Sequence, residues 1–166
     1  MPQSPADGKR ILNSIRLLVR ALRLFDREAQ SKHGISAAQA YVLHTLNEED
    51  GLSLNELADR TATDQSSASV VVQRLVDAGL VSRTARKEDR RHVELRLTAK
   101  GRNVIRKSPP PAQQKMLAAA ESMSPRDRKA FADMLEDFIA MMGVRGRKAP
   151  MLFEDDVKPS AKRAAK

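Results

Sequence analysis

The chain of 166 residues has no cysteine and no tryptophan, and only one tyrosine and four phenylalanines. Without thiols there can be no disulfide, no thiolate metal site and no cysteine redox sensor. With 41% hydrophobic but only 3% aromatic residues, the core has to be built from Leu, Val, Ile, Ala and Met, which favours helices. His33, His44 and His92 are never four apart, so a local helical zinc pair is excluded and no metal or cofactor is expected. The sequence also lacks a Gly-rich phosphate loop, a cysteine nucleophile and any suggestive Ser-His-Asp spacing, which argues against an enzyme and nominates no catalytic residue. No run approaches the roughly 18 uncharged apolar residues of a membrane span, and MPQSPADGKR has no apolar stretch behind a basic one. A cytoplasmic protein without a membrane partner is expected.

Positive charge, by contrast, is plentiful and concentrated. Of the net +9, a local +7 lies between Arg60 and Lys107, where twelve Lys/Arg stand against five Asp/Glu. Residues 1–59 carry −1 and residues 108–166 carry +3. A basic excess confined to one segment is the footprint of a polyanion-binding face.

Ile11, Ile15, Leu18, Leu22, Phe25 and Ala29 step by three and four residues, which predicts a long helix over about 8–32 with an apolar stripe it cannot bury alone. Ser36 with Gln39 and Ser53 with Glu56 are capping boxes that open two further helices. A helix from near Asp64 to Gly79 follows after TAT, so the pair reads as a helix-turn-helix. Leu80–Arg86 and His92–Leu97 read as a hairpin, with Val93, Leu95 and Leu97 on the core side. Thr98 caps a helix that must end or kink at Pro109, Pro110 and Pro111 and resume near Ala112. Ser124, Pro125 and Asp127 start a last helix with Phe131, Leu135, Phe138 and Met142 on one stripe. Past Gly143 a basic tail has too little apolar content to order itself.

This order predicts a mainly α fold with a small β-wing: a winged helix-turn-helix flanked by long N- and C-terminal helices. GLSLNELADRT, QRLVDAGLV and the stretch R-x5-DRR-x2-ELRLTAKG resemble the multiple antibiotic resistance regulator (MarR) family of bacterial transcription factors. The resemblance covers roughly residues 8–142 and is most specific from Asp89 to Gly101. It implies a dimerisation helix over 1–35, a DNA-binding lobe over 36–107 and dimerisation helices over 108–145; 146–166 remain as the basic tail.

A helix entering the major groove presents its N-terminal turns to base edges. With Ala68, Val71, Val72, Leu75 and Val76 inward, Gln65, Ser66, Ser67, Ser69, Gln73 and Arg74 form the expected reading face. Val70 departs from the basic or polar residue common in the family, and its methyls suit a thymine methyl. The resemblance implies a wing whose tip arginine, Arg91, enters the minor groove, where negative potential attracts a guanidinium. Asp89 would shape that tip, and Arg83, Arg86, Lys87 and Arg90 would meet phosphates. It further implies a homodimer on a palindromic double-stranded operator, with Ile11, Ile15, Leu18, Leu22, Phe131, Leu135, Phe138 and Met142 at the interface. A small aromatic or phenolic effector that releases a repressor is the family's common switch, and Arg16, His33, Tyr41 and His44 are candidates to meet it by position. The competing expectation is a winged-helix interaction module that holds a protein or RNA.

Overall fold

The computed structural model describes residues 5–85, 93–144 and 149–152. Seven helices and one hairpin follow in the order α1 (Pro5–His33), α2 (Ala37–Glu48), α3 (Leu54–Arg60), α4 (Gln65–Asp77), β1 (Val81–Ala85), β2 (Val93–Leu97), α5 (Ala99–Lys107), α6 (Ala112–Glu121) and α7 (Pro125–Met141). The fold is the mainly helical winged helix that the element order predicts. No helix of the described residues is long and apolar enough to cross a membrane.

The helix starts lie where local chemistry puts them. Both capping boxes are closed: the Ser36 and Ser53 hydroxyls accept the amides of Gln39 and Glu56, whose side chains accept the Ser36 and Ser53 amides in return. Asp64 caps α4 by accepting the Ser67 amide at 2.8 Å. At the other end of α4, Gly79 takes φ +68 while its amide and that of Leu80 donate to the Val76 and Leu75 carbonyls. That paired closure needs a left-handed residue, and glycine enters the region without a Cβ clash.

The lobe core gathers Val42, Leu43 and Leu46 of α2, Leu57 of α3, Val71, Val72 and Leu75 of α4, Leu95 and Leu97 of β2, and Ile105 of α5. The hairpin pairs Val81 with Leu97 through Ala85 with Val93. Val93 is a correction, because at the wing end of this register it stands 48% exposed while Leu95 and Leu97 are buried. The hairpin also has a third member that the sequence reading missed. Leu52 bridges Leu95 on the outer edge of β2, with the Leu95 amide donating to Leu52 at 2.8 Å. Arg96 ties down the same corner through Asp50 and, at 2.8 Å, Glu94.

The long stripe of α1 divides into two. Its C-terminal half packs on α2 and α6: Leu22 is buried, and the buried Asp26 accepts the Ala37 amide at 2.7 Å. Lys115 of α6 sits 4.0 Å above the Phe25 ring. Leu22 is therefore corrected from an open interface position to one covered by its own chain. Ile11, Ile15 and Leu18 remain exposed, and α7 buries none of its residues.

The tail expectation also needs correction. Ala149 forms a parallel bridge with Thr63, and Met151 is buried in the lobe core, so this part of the tail is held in place. One large apolar side chain supplies what the tail's average composition does not.

Candidate nucleic-acid interface

The helix-turn-helix is α3 and α4, with Thr61, Ala62 and Thr63 between them. Thr61 and Thr63 are buried, and Ala62 adopts φ +53, a left-handed value unusual for a residue with a Cβ. This tight turn sets α4 across α3, while Ala68, Val71, Val72 and Leu75 lock the inner face of α4 into the core. With one face immobilised, the opposite one projects in a fixed direction.

That outer face carries Gln65, Ser66, Val70 and Gln73, all exposed, with Ser69 and Arg74 half-buried at its margins. The Gln73 amide group donates to Asp77 at 2.8 Å, and the Ser66 hydroxyl donates to the Asp64 carboxylate. The Ser66 hydroxyl first, and then the Ser67 amide, hold the Asp64 carboxyl below the usual aspartate value. Ser67 does not belong to this surface. It is buried, and its hydroxyl oxygen accepts the Met151 amide at 3.0 Å. The wheel position that seemed outward is covered by a segment distant in sequence.

Several of the central cations are engaged inside the lobe. Lys100 donates to the Ala78 carbonyl at 2.8 Å and closes the C-terminal end of α4; Arg102 donates to the Leu97 carbonyl at 2.8 Å. Arg60 pairs with Glu49 at 2.7 Å, and Arg96 with Asp50 and Glu94. The Glu94 hydrogen bond and then the Asp50 charge hold the Arg96 guanidinium more firmly protonated than usual. Part of the basic excess is thus structural. Arg83 is exposed on β1, beside a surface hollow shared with Leu54, Val72, Val93 and Leu95. Arg86, Lys87, Asp89, Arg90 and Arg91 lie outside the described residues.

Gly101 is the functional glycine that sequence reasoning passed over. A Cβ there would run into the Leu80 carbonyl oxygen, so glycine lets α5 lie directly on the joint between α4 and β1. The Thr98 amide donates to that same carbonyl at 3.0 Å, while the Thr98 hydroxyl accepts the Gly101 amide at 3.0 Å. These contacts fix where the wing leaves the lobe.

Among the described residues, the four nominated for an effector line no common cavity. Arg16 lines an open groove of α1 with Arg20, Arg23 and Arg27. His33 is half-buried at the end of α1, and Tyr41 is buried, its hydroxyl pushed above the ordinary tyrosine value by that burial and by Glu48. Burial lowers the pKa of half-buried His44, against the opposing effects of Glu48 and the Pro109 carbonyl. The His44 Nε2 and both amide atoms of Gln113 have no hydrogen-bond partner among the described residues.

Comparison with known proteins identifies this arrangement. The MarR family model matches residues 33–92, which contain the helix-turn-helix and β1 but end before β2. The HTH-type transcriptional repressor MdtR of Bacillus subtilis is 34% identical over 74 residues, 45% of this chain and 48% of that protein. The chain thus matches about half the length of that repressor. The HTH-type transcriptional regulator PetP of Rhodobacter capsulatus is 28% identical over 124 residues, 75% of this chain and 73% of that protein. Among solved structures, Sco3205 of Streptomyces coelicolor, a MarR family transcriptional regulator in complex with DNA, superposes with a TM-score of 0.59 at 23% identity, covering 88% of this chain and 92% of that one. With this fold, this helix-turn-helix and these matches, the chain resembles the winged helix-turn-helix regulators of the MarR family.

Proposed function

We propose that the chain is a sequence-specific double-stranded DNA-binding transcriptional regulator, not an enzyme, and that it acts as a repressor on a palindromic operator. The single observation that carries this reading is α4. Its inner face is locked into the core while Gln65, Ser66, Val70 and Gln73 project from the opposite side. Gln bonds adenine well, Ser serves bases or phosphates, and the Val70 methyls suit thymine. In this reading α4 enters the major groove, Arg91 at the wing enters the minor groove, and Arg83 meets phosphate. Two copies related by a two-fold axis would present their α4 helices about 34 Å apart, one turn of the duplex.

Release by a small aromatic or phenolic effector belongs to the same proposal. Its support is the unpartnered His44 Nε2 and Gln113 amide near the α5–α6 joint, polar groups that a ligand could satisfy. Such a molecule acts only by favouring one spacing of the two lobes over another.

Arg91→Ala is expected to weaken binding to operator DNA by about 1–3 kcal/mol at fixed salt while leaving the thermal midpoint unchanged. Equal affinity of variant and parent would sink the wing assignment. The rival reading, a module for a protein or RNA, is separated by salt dependence. Duplex binding whose log affinity falls steeply with log salt supports the regulator, and binding only to single strands or protein supports the rival.

A further inference from the structure

The contact between the tail and α4 lies outside the regulator reading developed above, although its consequence rests on that reading. Ala149 pairs with Thr63 in the turn of the helix-turn-helix, the Met151 amide donates to Ser67 Oγ at 3.0 Å, and the Met151 side chain is 4% exposed. Three attachments thus converge on the N-terminal end of the helix that would read DNA. We propose that Ala149–Leu152 is an autoinhibitory strap, which covers Thr63 and Ser67 at the base of α4 and must leave before that end of the helix can close on the DNA backbone.

The surface it covers is of the kind that binds phosphate. Ser and Thr hydroxyls are standard phosphate contacts, and the strap covers those of Thr63 and Ser67, while the Ser67 amide is held by Asp64. With the strap in place, Thr63 and Ser67 are 4% and 3% exposed. In the sequence Arg145, Arg147 and Lys148 precede the strap and Glu154, Asp155 and Asp156 follow it, so its two ends carry opposite charge and the acidic end has the sign that phosphates carry.

Its attachment is also built to come off. Pro150 has no amide proton, so the bridge at Ala149 cannot lengthen into a ladder, and Leu152 on the far side of Met151 is already exposed. One buried side chain holds a segment with exposed neighbours. Such a latch can be open in a minor fraction of molecules, and apparent affinity falls by that fraction.

The test uses the full chain and a duplex that the parent protein has enriched from a random pool. Met151→Gln removes the plug and leaves every charge unchanged. It is expected to tighten binding about threefold or more, corresponding to a strap closed in most parent molecules. A second variant locks the strap. Because the chain has no cysteine, Thr63→Cys with Ala149→Cys creates the sole possible disulfide. Bridged neighbours lie about 4.8 Å apart, within the span of that bond. The oxidised protein should lose affinity and recover it on reduction. Failure of the cross-link to form would overturn the docking, and a cross-linked protein of unchanged affinity would make the strap a permanent part of the lobe. Unchanged or weaker binding by Met151→Gln would likewise overturn autoinhibition. If the folded parent enriches no duplex at all, the DNA-binding reading fails instead, whatever the cross-link does.

Discussion

His44 shows what a single buried polar atom does to the molecule. Its ring is half-buried on α2 with Nε2 unpartnered, and burial holds its pKa below the ordinary 6.5 despite the opposing influence of Glu48 and the Pro109 carbonyl. In the unfolded chain the same group takes up a proton near 6.5, earlier on acidification than the folded protein does. The unfolded state therefore binds more protons in that window, and stability falls as pH drops through 6.5 until the folded pKa is passed. His44→Gln should flatten this slope. Urea midpoints measured at about pH 7.5 and 5.5 check it: the parent is expected to lose more stability on acidification than the variant, and parallel losses would remove His44 as the cause. In the sequence His44 was legible as a histidine on an apolar helix and, by position, as a candidate effector contact. The neighbour that shapes its titration, Pro109, is brought close by the fold.

At the scale of elements, what was legible was local. Ser36 with Gln39, Ser53 with Glu56, Thr98 and Ser124 announced helix starts because a cap is made within four residues, and each forms as expected. The misreadings share the opposite cause. Ser67 sits on an outward arc of α4 by periodicity, yet Met151 covers it; Leu22 shares a stripe with Ile15, yet only Leu22 meets the rest of its own chain. Val93 fits the alternation of β2, but the core ends before it. Gly101 was passed over for the same reason, since the atom it must avoid belongs to Leu80. Gly101→Ala keeps helix propensity and forces α5 off the α4–β1 joint, so overpacking should destabilise the lobe by about 1–3 kcal/mol. Chemical denaturation reads that loss. The gain in helix propensity from the same change works the other way, so a stabilised variant would mean that α5 shifts aside freely.

For the whole molecule, the N-terminal half of α1 and all of α7 present surface that their own chain leaves uncovered. Ile11, Leu12, Ile15 and Leu18 on one helix and Phe131, Met134, Leu135 and Ile139 on the other are each between 37% and 62% exposed. Two clusters of large side chains on the two terminal helices exceed the scattered apolar exposure normal for a monomer. Beside them α1 presents Arg16, Arg20, Arg23 and Arg27, while the C-terminal half of α7 carries Glu136 and Asp137, with Asp133 already paired to Lys129 at 2.6 Å. A second copy would cover both surfaces, if a two-fold axis set the α1 of each chain against the terminal helices of the other. The protein is therefore expected to sediment at about twice its 18.4 kDa chain mass at micromolar concentration. Leu135→Asp with Ile15→Asp places unpaired carboxylates in that interface and should yield monomers that keep the lobe's helical signal. Their affinity for a palindromic duplex should fall much further than for an isolated half-site, because only the former gains from two linked lobes. A parent that sediments as a monomer, or a double variant that remains dimeric, would place the interface elsewhere and with it the 34 Å spacing of about one duplex turn on which palindromic recognition depends.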